Sequence, residues 1–237
     1  IDAAIDYGVI DFRMFETKAL VHHRKDDAQA ALQASQDLIQ YHPYNPWSHH
    51  KVGLFQLELK NYDLARDAFQ EALKYGPALG RIRRDLGQAY EALGHADSAR
   101  AAYETALKRI SDDALLRTKL AALLVGSGEM EEAQKHIGVA ANRLKFTRMD
   151  ADVAVVGDVA MMAEAYDEAI LAYERAATLV PDNAIYQSKL ANALVGSGQR
   201  ERAVVVLRDL LRRVNSEVDR ETIISHIEQL EAEDKDG

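Results

Sequence analysis

Six alanines set the frame of this chain: Ala31, Ala65, Ala99, Ala133, Ala169 and Ala203, at steps of 34, 34, 34, 36 and 34 residues. One residue type kept at a nearly fixed spacing means one structural unit used repeatedly, and a period near 34 is that of stacked helix pairs. A second column, Ala19, Gly53, Gly87, Ala121, Gly157 and Ala191, holds only small residues. Small side chains are needed where two helix axes come so close that nothing larger fits. A third column, Phe69, Tyr103, Ile137, Tyr173 and Leu207, supplies the bulk that fills the gap, with Ser35 as its weak member.

The stretch from Gly80 to Ser111 shows the unit most clearly. Its first half carries Leu86, Gly87 and Tyr90 as an apolar strip with one position nearly empty. Its second half carries Ala99, Tyr103, Ala106 and Leu107, the i, i+4, i+7, i+8 spacing of a buried helix face. Gly94 and His95 make the turn between them. A single helix pair cannot bury both of its faces, so each unit needs neighbours on either side.

These columns, with Pro43, Pro77 and Pro181 closing three units, resemble the tetratricopeptide repeat family over about 204 residues. The units fall at 12–45, 46–79, 80–113, 114–147, 150–183 and 184–217. The fold expected is all-α, a right-handed superhelical solenoid of antiparallel helix pairs. Residues 1–11 form a lead-in that reads as a partial helix. After Asn215, Ser216 with Asp219 resembles a helix-start capping arrangement, and Ile223, Ile227 and Leu230 form one stripe. That places a capping helix over 218–233, followed by a disordered acidic tail at 234–237.

The departures from the pattern matter as well. Unit four has Lys145 where proline is common, and a two-residue insertion follows near Phe146 to Asp150, which is expected to loosen the turn. Lys18 and His22 stand at core positions of unit one, as a terminal unit with one exposed side allows. Units four and six share KLAALLVGSGEMEEA and KLANALVGSGQRERA. Their paired glycines, Gly126 with Gly128 and Gly196 with Gly198, read as a helix end and reversal. A phosphate-binding loop would follow a strand and carry Lys-Ser or Lys-Thr after the last glycine, and neither feature is present.

Charge narrows the function. The chain carries a net charge of −9, and from Glu217 onward eight acids stand against Arg220 and Lys235. An acidic body argues against general nucleic-acid binding, which needs a basic face to replace phosphate counterions. RNA binding by a related helical-repeat family, whose period is nearer 35 and whose surface is basic, is disfavoured on both counts. The absence of cysteine excludes disulfides and thiolate metal sites but leaves cytoplasm and periplasm equally open for a soluble chain. The longest apolar run, Val153 to Ala163, is broken by Gly157 and Asp158 and is far shorter than the ~20 residues of a membrane span. The start at Ile1, with no signal-peptide pattern, points to a fragment or processed form.

In the family that the chain resembles, first helices of successive units line a concave groove that binds extended peptides or helices. Taking Gly87 as reference, the groove-facing positions of unit three are Arg81, Arg84, Asp85, Gln88 and Glu91. The same offsets give Arg13, Glu16, Thr17, Leu20 and His23 in unit one, and Trp47, His50, Lys51, Leu54 and Leu57 in unit two. In unit four they give Leu115, Thr118, Lys119, Ala122 and Val125. The N-terminal half therefore gathers Arg13, His50, Lys51, Arg81, Arg84 and Lys119, cations suited to a carboxylate, with Trp47 as a flat apolar anchor. The C-terminal half is more apolar, with Ala151, Ala154, Val155, Met161, Ile185 and Val195, interrupted by Asp158, Ser188, Lys189 and Asn192. A flexible Met161 there suits an amphipathic partner helix.

The carboxylate clamp of the chaperone-binding members is not reproduced. Glu16, Leu20, Lys51 and Asp85 occupy its positions, with only Arg81 in keeping. His22, His23, His42, His49 and His50 invite a metal reading, but adjacent residues on a helix point about 100° apart and cannot chelate as a pair. No Ser/His/Asp set, paired-carboxylate cleft or nucleotide fingerprint is present. No catalysis, metal or cofactor is expected. The reading is an interaction scaffold whose groove holds a partner protein or peptide that is acidic or offers a free C-terminal carboxylate. The alternative is the targeting or regulatory arm of a larger enzyme or of a bacterial envelope or secretion assembly machine. Self-association through the groove or the last helix remains a further route.

Overall fold

The computed structural model describes residues 28–181, 183–214 and 216–233, and every regular element among them is helical. The chain divides into two compact bodies, residues 1–111 and 112–237. The first contains α1 (Ala28–Tyr41), α2 (Pro46–Glu58), α3 (Tyr62–Tyr75), α4 (Gly80–Ala92) and α5 (Ala96–Leu107). The second contains α6 (Ala114–Gly126), α7 (Met130–Ala141), a 3-10 turn (Leu144–Phe146), α8 (Asp150–Met162), α9 (Tyr166–Leu179), α10 (Ala184–Gly196), α11 (Arg200–Arg213) and α12 (Glu217–Glu233). The lead-in at 1–11, the first helix of unit one with Arg13, Lys18, Ala19, His22 and His23, and the tail at 234–237 lie outside the described residues. So does the side chain of Asp219.

Helices pair in chain order, α2 with α3, α4 with α5, α6 with α7, α8 with α9 and α10 with α11. The alanine column from Ala65 to Ala203 is fully buried, as are Phe69, Tyr103, Ile137, Tyr173 and Leu207. A methyl group built on Gly53 would lie 2.4 Å from the Phe69 ring, on Gly87 2.4 Å from Tyr103, and on Gly157 2.6 Å from Tyr173. Where the bulky partner is aliphatic, at Ile137 and Leu207, the small column carries Ala121 and Ala191 instead. The flat ring occupies the space a methyl would take, so each pair conserves volume across the helix–helix contact.

Helix ends are set locally. Asn45 and Asn183 accept from the backbone N–H two residues on, at 2.9 and 3.0 Å, and Asp113 accepts from Leu116 N–H at 2.9 Å. Each such cap satisfies an otherwise orphaned donor and contributes ~1 kcal/mol. Pro46 adds a preset φ at the first position of α2. The reversals within pairs use one position of the repeat: Gly94, Gly128 and Gly198 sit at φ 76°, 81° and 76°, and Lys60 and Glu164 at 60° and 56°. Gly126 and Gly196 share a sequence context but not a reason. A methyl on Gly196 would strike Tyr166 at 2.4 Å, whereas one on Gly126 would meet nothing within 4 Å.

Two further features differ from the regular repeat. The insertion does not loosen its turn. It folds into the 3-10 turn, buries Leu144 among Ala140, Ala141, Val153 and Ala176, and is held where Arg175 Nη2 donates to the Thr147 carbonyl at 3.0 Å. The α12 helix packs against α11 with Ile223, Ile227 and Leu230 buried. Arg220 Nη1 donates to the Leu211 carbonyl at 2.7 Å, satisfying an acceptor at the end of α11.

Candidate partner-binding site

In the N-terminal body the first helices α2 and α4 pack beside each other. His50 Nε2 meets Asp85 Oδ2 at 2.7 Å, and the two residues are only 7% and 3% exposed. Asp85 Oδ1 accepts from Arg84 Nε at 2.9 Å. A carboxylate oxygen accepts, so the proton in the first contact belongs to His50 Nε2; its Nδ1 is buried with no partner. The Trp47 ring stands edge-on to the His50 ring with centroids 5.4 Å apart, and the Phe69 ring lies 5.7 Å from the same imidazole.

The sequence-derived site residues thus separate by role. Trp47, Arg81 and Gln88 are exposed, and Lys51 and Arg84 are half-buried. Arg81 makes no ion pair among the described residues, whereas Arg84 is oriented by Asp85. His50 does not offer its ring to a partner. It lies beneath the face and braces Asp85, which in turn fixes Arg84. Asp85 likewise acts from below, although its offset reads as groove-facing. His49, the other half of the adjacent pair, bonds the Pro43 carbonyl at 2.7 Å and stacks on Tyr75. Among the described residues no cluster of His, Asp or Glu is arranged to hold a metal ion.

In the C-terminal body the first helices are α6, α8 and α10. Leu115, Ala151, Val155 and Ile185 are exposed, and Ala122, Val125, Met161 and Val195 are half-buried. Ala154 and Thr118 are buried, and the Thr118 hydroxyl donates back to the Ala114 carbonyl at 2.9 Å. Lys119 is half-buried. A polar network crosses this apolar face. Lys189 Nζ grips both oxygens of Asp158, at 2.6 and 2.8 Å, and the Tyr173 hydroxyl donates to Asp158 Oδ1 at 2.7 Å. Tyr186 donates to Asp150 Oδ2 at 2.6 Å. Burial, and then the bond to Asp158, pushes the Tyr173 phenol above the ordinary tyrosine range. Burial with the Glu91 carboxylate at 2.6 Å does the same to Tyr103, and the bond to Asp150 raises Tyr186.

Residues 56–122 match the tetratricopeptide repeat family model. A TPR repeat-containing protein of Pseudomonas aeruginosa is 36% identical over 134 residues, 55% of this chain and 51% of the relative. Over residues 56–122 the chain is one of tetratricopeptide repeats. It spans about half the length of that curated relative. Among solved structures, pilF of Pseudomonas aeruginosa superposes with a TM-score of 0.68 at 12% identity, covering 91% of this chain and 97% of that one. PilW, a type IV pilus biogenesis factor, gives 0.67 at 16% identity, with 90% and 98% covered. At these identities the likeness is one of fold.

Tetratricopeptide repeats serve in general as protein-interaction scaffolds, and no described helix here is long and apolar enough to cross a membrane. Sequence reading missed the brace beneath the first-helix face. His50 and Asp85 are 35 residues apart, one period plus one, so they fall on neighbouring first helices a quarter-turn out of register. That offset was the available signal.

Proposed function

We propose that this tetratricopeptide repeat chain is a non-catalytic scaffold that holds an acidic segment of a partner protein on the α2/α4 face. Arg81 and Arg84, one helical turn apart, would grip carboxylates. Gln88 would hydrogen-bond the partner's backbone, and Trp47 would bury an apolar side chain beside them. One observation carries this reading: the exposed Arg81, which makes no ion pair among the described residues, stands beside an Arg84 already oriented by a buried carboxylate. A preoriented guanidinium loses less freedom on binding than a free one. On the C-terminal body the exposed Val155 and Ile185, with Met161 half-buried, would take an apolar stretch, and Lys119 an acidic residue.

The test is capture from the source cell's lysate by the wild-type chain and by the Arg81→Glu/Arg84→Glu variant, with equal folding checked by circular dichroism. A partner enriched by wild type and lost by the variant, more weakly held as salt rises, supports the reading. A partner retained by the charge-reversed variant overturns the basic face as the site.

A further inference from the structure

A cleft lies beside the insertion between repeats four and five. Its walls are Ala141 and Asn142 at the end of α7, Leu144 and Lys145 from the 3-10 turn, and Leu171 and Arg175 from α9, enclosing about 300 Å³. That is the lower end of the ~300–1,000 Å³ found for ligand pockets, room for one residue and not for a helix.

Two of its residues break the pattern of their columns. The positions equivalent to Arg175 in the other repeats hold Asp37, Glu71, Thr105, Val139 and Asp209, so packing does not call for a cation there. Those equivalent to Leu171 hold Gln33, Asp67, Ala101, Lys135 and Val205, so this is a surface position, and Leu171 remains 45% exposed. A large aliphatic group and a guanidinium, at i and i+4 on α9, therefore face one cleft.

Arg175 has no carboxylate partner among the described residues. Its Nη2 donates to the Thr147 carbonyl, and its Nε is buried without an acceptor. A carboxylate is the acceptor that matches the planar fork of a guanidinium. Arg143, nearby in sequence, is already paired with Asp112 at 2.7 Å, so it does not compete for that acceptor.

We infer that this cleft is a second binding site, which takes the C-terminal residue of a partner polypeptide. An aliphatic side chain lies against Ala141, Leu144 and Leu171, and the α-carboxylate meets Arg175 and Lys145. A C-terminal residue carries both groups on one carbon, which is what fits the volume; an internal acidic residue with an aliphatic neighbour would need more room. The site is independent of the α2/α4 face.

Fluorescence anisotropy tests it with a dye-labelled peptide, Gly-Ser-Gly-Ser-Leu with a free carboxylate, against the same peptide amidated. The free acid binds, amidation weakens it at least about tenfold, and Arg175→Gln weakens it comparably. Because Arg175 also holds Thr147, Leu171→Glu serves as a second variant at an exposed position and abolishes binding while circular dichroism stays unchanged. Arg81→Glu/Arg84→Glu leaves this affinity unaltered. Absence of binding by the free acid, equal binding of acid and amide, or a loss that follows Arg81 and Arg84 instead of Leu171 would each overturn the inference.

Discussion

Gly87 and Tyr103 share one space: a methyl on the glycine would lie 2.4 Å from the tyrosine ring, whose hydroxyl donates to Glu91 at 2.6 Å. The ring passes through the gap between the two helices of the pair and ends on a carboxylate of the first. Gly87→Ala is therefore expected to lower stability by about 1–3 kcal/mol in chemical denaturation, the usual cost of overpacking. Gly87→Ala combined with Tyr103→Leu, which recreates the kind of pair formed by Ala191 and Leu207, is expected to cost less than the two changes added together. Strict additivity would show that ring and glycine are not coupled.

The brace beneath the α2/α4 face makes a separate expectation. Asp85→Ala leaves His50 Nε2 without its acceptor in a buried place, and so costs about 1–3 kcal/mol. It also frees Arg84, so partner capture weakens even under conditions where the variant is fully folded. A double-mutant cycle with His50→Ala checks the pairing: a coupling of about 0.5–3 kcal/mol is expected, and zero would refute it.

The architecture was legible because packing repeats. Small and bulky columns record the distance between helix axes, and that distance recurs in each repeat, as Gly53 with Phe69 and Gly157 with Tyr173 show. The site was legible only in part. The offset that marks a first-helix position cannot tell the exposed Arg81 from the buried His50 and Asp85, because a rotation of a few tens of degrees decides which chain lies under which. The link of Lys189 to Asp158 likewise joins different offsets on neighbouring helices. The insertion was visible as a step of 36 residues, but its length did not disclose that Leu144 would be buried or that Arg175 would anchor Thr147.

Alkaline pH should open the fold through two of its ten tyrosines. Burial first, then Glu91 and Asp158, hold the Tyr103 and Tyr173 phenols above the ordinary value of about 10. The folded chain keeps protons that the unfolded chain releases, so this stabilisation is whole below about pH 10 and is lost as pH rises further. Near-ultraviolet absorbance should show most tyrosines ionising first, and a later group ionising together with the loss of helical circular dichroism. Glu91→Gln should bring Tyr103 forward and leave Tyr173 unmoved. Ionisation of all ten in one step, with the helices intact, would contradict the assignment.

The reversal within each helix pair offers the cleanest backbone test. Lys60, Gly94, Gly128, Glu164 and Gly198 occupy one position of the repeat, and all five have positive φ. A side chain there crowds its own backbone, at a cost of about 1–2 kcal/mol that glycine avoids. Glycine gives some of that back by loosening the unfolded chain, by about 0.4–1 kcal/mol. Glu164→Gly and Lys60→Gly are accordingly expected to stabilise the fold by about 0.5–1 kcal/mol each. A methyl on Gly128 would touch nothing within 4 Å, so Gly128→Ala isolates the backbone contribution, and a loss of about 1 kcal/mol is expected. Denaturation midpoints measured with an unchanged slope decide it. If Gly128→Ala is neutral while Glu164→Gly destabilises, the conformation of the turn is set by side-chain contacts and not by its φ.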